Sequence, residues 1–282
     1  MKEKGKINSG IKFILPGLVG VSIFTFLPYA DVLRRSFFHT GSQSFAGLEN
    51  YKDVIHNEAF QLAAKNTGVF IGVCIPLLMI LSLALALFIY ENPRTESFLK
   101  TGFLIPMAIP VASVVLMWKF LFENRGIING LLVDLGLSPV NWMDSNAAFW
   151  ILVGSYIWKN LGYNIILWLA SLSAVNPALR EAAMLDGAGF WQRFYYVFFP
   201  QLKKAAFVII VLAVLNSFKV FREAYLVAGD YPWENIYFIQ HCFNNWFRDL
   251  AIDKIAAAAV LNSVILMALV LLLQRCWDKE RD

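Results

Sequence analysis

The sequence predicts an all-α, polytopic membrane protein with six transmembrane helices, and three observations carry that prediction. The 282 residues are 59% hydrophobic and only 16% charged, with a mean hydropathy of +0.58, whereas soluble domains carry about 25% charged residues. The apolar residues are also clumped: Thr67 to Tyr90, Ile255 to Gln274, Phe13 to Ala30 and Thr101 to Trp118 hold no charge, each near or beyond the ~20 residues that cross a bilayer core. Finally, none of these runs alternates with period two, which excludes the short strands of a membrane β-barrel. Backbone in hydrocarbon must satisfy its hydrogen bonds within the segment, so every span is helical.

Taken in order, the spans are placed at about Ile11 to Tyr29, Asn66 to Tyr90, Leu99 to Phe122, Ala147 to Leu172, Ala205 to Tyr225 and Ala256 to Trp277. The first looks like a signal peptide, because Lys2, Lys4 and Lys6 precede it. It contains Pro16, however, and ends at Pro28-Tyr29-Ala30-Asp31 without a small-x-small cleavage pattern, so it reads as a retained span. An even number of spans puts both termini on one side. That side holds thirteen Lys and Arg against ten on the other, a bias that favours cytoplasmic termini. Trp118, Trp142, Trp150, Trp233, Trp246 and Trp277 fall near span ends, where interfacial aromatics belong.

Several function classes drop out. The net charge of +4 is spread along the chain with no basic stripe, which argues against nucleic acid as a partner. Cys74, Cys242 and Cys276 show no CxxC spacing, and His241-Cys242 has no third ligand nearby, so neither a disulfide framework nor a metal site is expected. No GxxxxGK[ST] loop and no nucleophile–base pair occurs, so no cofactor and no chemistry are expected on this chain, and any nucleotide must bind elsewhere.

The most informative stretch, 173–200, lies between the fourth and fifth spans. Asn176 is a good N-cap, Pro177 suits the first helical position, and Leu179 to Leu185 favour helix. Gly187 and Gly189 break that helix, Phe190 to Phe198 can form a second short helix, and Pro200 opens the next span. Ala182 and Ala183 give the first helix a flat face of the kind that lies in a partner's groove.

Within spans, polar side chains face a cavity or another helix. Tyr156, Lys159, Asn160 and Tyr163 share one stripe of the fourth span, and Asn216, Ser217 and Lys219 interrupt the fifth. Amides, hydroxyls and aromatic faces are what a sugar needs; the same groups also serve to bridge helices or, as lysines, to reach an interface.

Glu181-Ala182-Ala183, three residues, Gly187, nine more, then Val197-Phe198-Phe199-Pro200 resembles the EAA motif of binding-protein-dependent ABC importer permeases. The family pattern ends isoleucine-x-leucine-proline, from which Val197 and Phe199 depart conservatively. Phe45-Ala46-Gly47-Leu48-Glu49-Asn50-Tyr51, Phe103-Leu104-Ile105-Pro106 and Trp158-Lys159-Asn160-Leu161-Gly162-Tyr163 are similar to the carbohydrate group, which includes the maltose, multiple-sugar and glycerol-phosphate permeases. Gly229-Asp230-Tyr231-Pro232 stands where the family often has a GGP turn.

The resemblance implies the type I importer permease fold, as one permease domain over 1–282, in a bacterial cytoplasmic membrane. It implies that Glu181, Ala182, Ala183, Asp186 and Gly187 meet a cytoplasmic ATPase dimer. It further implies a second homologous permease, an extracytoplasmic sugar-binding protein, contact with membrane lipid, and alternating access as the mechanism. In maltose-transporting members the sugar is met by the two helices flanking the loop. Aligned on Glu181 and Pro200, those positions fall at Tyr156, Lys159, Asn160, Tyr163, Asn216, Ser217 and Val220. Most residue types differ, so the same sugar is not implied. The rivals are an ion-coupled secondary transporter, which needs carboxylates deep in its spans, and a membrane-embedded enzyme, which needs clustered His, Asp or Glu; neither pattern is found in the sequence.

Overall fold

The computed structural model describes residues 13–278, the side chains of 95–98 and 276–278 excepted. Lys2, Lys4, Lys6, Lys12, Lys279 and Arg281, which weigh in the orientation count, lie outside the described residues, as do the side chains of Cys276 and Trp277. The described residues are helical but for turns and a single bridge between Phe38 and Phe45. They divide into two compact units, one running to Gln61 and including Phe243–Leu269, the other comprising Leu62–Cys242 and the residues from Val270 on.

In the first unit, α1 spans Phe13–Arg35. Its segment Ser22–Phe26 is a π-turn ending just before Pro28. Proline lacks an N–H, and its ring collides with the carbonyl four residues back; the wider turn makes room for that carbonyl, on Phe24. After α1 the chain folds on Asn50, whose Nδ2 donates to the Ser36 and Phe38 carbonyls at 3.1 Å each. Asn50 belongs to α2, Glu49–His56. The Thr40 N–H donates to Asp253 Oδ2 at 3.2 Å, and the Asp253 N–H to Thr40 Oγ1 at 2.9 Å. This reciprocal bond satisfies orphan groups where the final helix starts.

Helix α3, Glu58–Glu91, carries Pro76 inside it. The expected third span is two helices, α4 (Glu96–Ala108) and α5 (Val111–Phe122), broken at Ile109-Pro110. The apolar stretches Leu99–Ala108 and Val111–Asp134 meet at 95°. Pro110 forces Ile109 out of the helical region, so one straight span over Leu99 to Phe122 is not formed. After α6, Ile127–Asp134, comes α7, Ala147–Ser173, at 1.5 Å per residue a rod of about 40 Å. Helix α8 is Pro177–Leu185, and α9 runs unbroken through Phe190–Ala228. The second short helix expected over Phe190 to Phe198 is therefore the start of α9. A π-turn over Phe194–Phe198 accommodates Pro200, as the one before Pro28 does in α1. Helices α10, Ile239–Arg248, and α11, Ile252–Asp278, complete the described chain.

Among the described residues, four helices are long and apolar enough to cross a membrane: α1, α3, α9 and Ile252–Arg275 of α11. The bent pair makes a fifth if taken as one span. Helix α7 has the length, but Lys159, Asn160, Tyr163 and Asn164 dilute its apolarity, so length and composition alone do not reach the expected six spans.

The core of the second unit joins α3, α7 and α9 through Ala86, Ile89, Ile165, Trp168, Leu172, Phe198, Leu202 and Ile209. Lipid tails are as apolar as these side chains, so close packing and hydrogen bonds hold the helices together. Trp168 Nε1 donates to Ser82 Oγ at 3.1 Å, and the Tyr156 hydroxyl donates to the Ala213 carbonyl at 2.8 Å. A Cβ on Gly162 would lie 2.0 Å from the Phe103 carbonyl oxygen, so only glycine lets α4 come this close to α7.

Candidate functional site

The stretch from Ala174 to Pro200 is built as its residues dictate. Asn176 Oδ1 accepts from the Ala178 N–H at 3.0 Å, with Pro177 at the first helical position. At the far end Gly187 takes φ +75°. Its N–H donates to the Met184 carbonyl at 3.1 Å, and the Ala188 N–H donates to the Ala183 carbonyl at 2.9 Å. That is the paired closure of a Schellman C-cap, which favours glycine at the left-handed position. Glu181, Ala182, Asp186 and Gly187 are exposed and Ala183 half-buried. Around them Leu185 is 89%, Trp191 75% and Tyr196 79% exposed, with Leu179 and Met184 half-exposed. The capped helix and the start of α9 thus present small and large apolar side chains that no other described residue covers.

The opposite case is the interior between α7 and α9. A cavity of about 50 Å³ there is lined by Tyr156, Lys159, Asn160, Asn216, Lys219, Val220, Arg222 and Glu223. Five of the seven positions expected on the substrate pathway therefore meet in one place. Tyr163 and Ser217 do not line it: Tyr163 is half-buried, and Ser217 is buried with its hydroxyl donating to the Val214 carbonyl at 2.6 Å. The space admits a few waters but not a sugar ring.

Its centre is a charge pair that the sequence reading missed. Lys159 Nζ donates to Glu223 Oε1 at 2.9 Å, with side-chain exposures of 16% and 8%. The expectation that no carboxylate sits deep within a span is thereby corrected, because α9 continues to Ala228 and carries Glu223 inside the bundle. Lys159, a cation in mid-helix, was the signal: a charge in an apolar span needs a counter-charge. Lys219 Nζ donates to Asn216 Oδ1 at 2.6 Å, and Asn160 Nδ2 to the Tyr156 carbonyl at 2.9 Å.

Among the described residues no group of three His, Cys, Asp or Glu could hold a metal. Cys74 and Cys242 are buried free thiols. The His241 ring takes the Phe238 N–H on Nδ1 at 3.0 Å and lies 4.7 Å from the Phe221 ring. Burial lowers its pKa to about 4, so it packs as a neutral aromatic group.

Several long apolar helices, with a sheltered Lys159–Glu223 pair between two of the helices, mark a multi-pass membrane protein. The comparisons agree. Residues 69–280 match the family described as binding-protein-dependent transport system inner membrane component. The chain is 32% identical over 229 residues to the trehalose/maltose transport system permease protein MalF of Thermococcus litoralis, covering 79% of this chain and 78% of that one. It is 28% identical over 263 residues to the sn-glycerol-3-phosphate transport system permease protein UgpA of Agrobacterium fabrum, covering 91% and 90%. Its fold matches a chain of a bacterial ABC transporter that imports the acidic polysaccharide alginate, with a TM-score of 0.84 at 23% identity, covering 97% and 99%. A second match, with a TM-score of 0.81 at 22% identity and covering 96% and 94%, is to the alginate transporter in complex with its alginate pentasaccharide-bound periplasmic protein. The protein belongs to the binding-protein-dependent transport system inner membrane component family.

Proposed function

We propose that the chain is one translocation subunit of an ATP-driven importer of a sugar or oligosaccharide, working by alternating access. The observation that carries this reading is the loop around α8, a firmly capped helix with exposed Glu181, Ala182 and Leu185 and no cover among the described residues. Apolar surface rimmed by charge marks a docking site. Its occupant in this reading is a cytoplasmic ATPase dimer, which puts 173–200 and both termini on the cytoplasmic side. Relatives named for trehalose/maltose and glycerol-phosphate transport, and a like-folded alginate transporter in complex with an alginate pentasaccharide-bound periplasmic protein, support a carbohydrate cargo and an extracytoplasmic binding protein. A second, homologous permease supplies the other half of the pathway. The small cavity between α7 and α9 is this half's contribution.

The test is co-expression of the chain with an importer ATPase, followed by co-purification. Glu181→Lys reverses the charge on the exposed helix and is expected to cut ATPase recovery at least tenfold, with the permease still folded. Full ATPase association and transport in that variant would overturn the reading.

The buried Lys159–Glu223 pair favours one alternative, an ion-coupled transporter. In that case a protonophore or sodium removal abolishes uptake while ATP depletion at constant membrane potential does not. The importer reading expects the reverse.

A further inference from the structure

Glu91, the last residue of α3, lies against the loop that carries α8. Its Oε2 is 3.3 Å from Arg180 Nη2 and 3.8 Å from Arg193 Nη2. Arg180 precedes Glu181 on α8, and Arg193 lies in the first turn of α9. Three helices thus converge on one carboxylate. All three side chains are sheltered, at 22% exposure for Glu91, 30% for Arg180 and 12% for Arg193. Tyr90 reinforces the contact: its ring lies 5.2 Å under the Arg180 guanidinium and packs edge-on, at 5.8 Å, against the buried ring of Phe198.

The pairing is also incomplete. Both arginines use the same oxygen, while Glu91 Oε1, Arg180 Nε and Arg193 Nε are buried without a hydrogen-bond partner. Guanidinium and carboxylate pair best through two parallel bonds. A small slide of α8 or rotation of the carboxylate would give Glu91 a two-bond contact with one arginine and release the other. The unused donors and acceptor leave room for a second pairing of the same three residues.

We propose that Glu91 is a positioning residue, a two-position latch that ties displacement of α8 to displacement of α3. This rests on the importer reading, in which α8 is where the ATPase pushes. Without the latch α8 would still dock and the ATPase would still turn over, but its movement would no longer reach the spans.

The experiment has two arms. In the purified permease, Glu91→Gln is expected to speed amide exchange across Ala178 to Ala188 at least tenfold while leaving Ile165 to Leu172 of α7 unchanged. In the assembled transporter in proteoliposomes, it is expected to lower solute moved per ATP at least fivefold with ATPase still bound. Adding Arg180→Gln to Glu91→Gln should change little further, and Glu91→Asp should recover part of both effects. Should Glu91→Gln loosen α7 as well, Arg180→Lys, which keeps the charge and removes the fork, replaces it with the same expectations. Unchanged exchange in α8 overturns the latch, and faster exchange with normal solute per ATP overturns its role in transmission. If the wild-type chain recruits no ATPase, the importer reading and the transmission role fall together, and the exchange arm still decides whether the latch exists.

Discussion

The interior of α7 and the exposed loop at α8 follow opposite rules. Along α7 the charged and polar side chains find partners inside the bundle: Lys159 on Glu223, Tyr156 on the Ala213 carbonyl, Trp168 on Ser82. At α8 the backbone is satisfied to the last cap, while Leu185 on it and Trp191 and Tyr196 at the start of α9 stand exposed. The first pattern is what an apolar solvent demands, because an unpaired polar group has no water to turn to. The second leaves apolar surface that water disfavours and that a partner would cover. The difference teaches that polar groups inside the bundle are paired within the chain, whereas the α8 loop leaves apolar side chains for something outside it to cover.

The comparison is broken most forcefully at Gly162. Replacing it with Val places a side chain against the Phe103 backbone, which cannot yield as a flexible side chain would. We expect a loss of about 4 kcal/mol or more, seen as failure to recover monodisperse protein in detergent. Next comes the charge pair. Glu223→Ala leaves Lys159 buried without its counter-charge and should cost about 3–5 kcal/mol. A double variant, Lys159→Met with Glu223→Leu, should regain most of that stability in thermal unfolding; if it restores uptake too, the pair is structural only. The smallest effect lies on the loop. Asn176→Ala removes the N-cap of α8 and should cost about 1 kcal/mol locally, seen as faster amide exchange in Ala178 to Glu181 without a change in global unfolding temperature.

Much of this was legible residue by residue. Asn176, Pro177 and Gly187 act locally, and the structure places a cap, a first turn and a Schellman closure where their chemistry asks for them. The stripe of Tyr156, Lys159 and Asn160 was legible because helical spacing alone puts those residues on one face. The break at Ile109-Pro110 was misjudged: Thr101 to Trp118 reads as one apolar run, and hydropathy does not register a missing N–H. The merging of Phe190–Phe198 into α9 was missed because a π-turn that shelters Pro200 leaves no mark in composition.

By itself, then, the sequence determined the solvent in which this chain folds, the helical class, the caps of α8 and the family motif, since each depends on composition or on residues a few positions apart. Only the tertiary structure decided that Glu223 answers Lys159, that Gly162 admits the Phe103 backbone and that Glu91 gathers Arg180 and Arg193. Those pairings join residues 59 to 102 positions apart, and which of many possible partners meet is fixed by helix packing, not by local order.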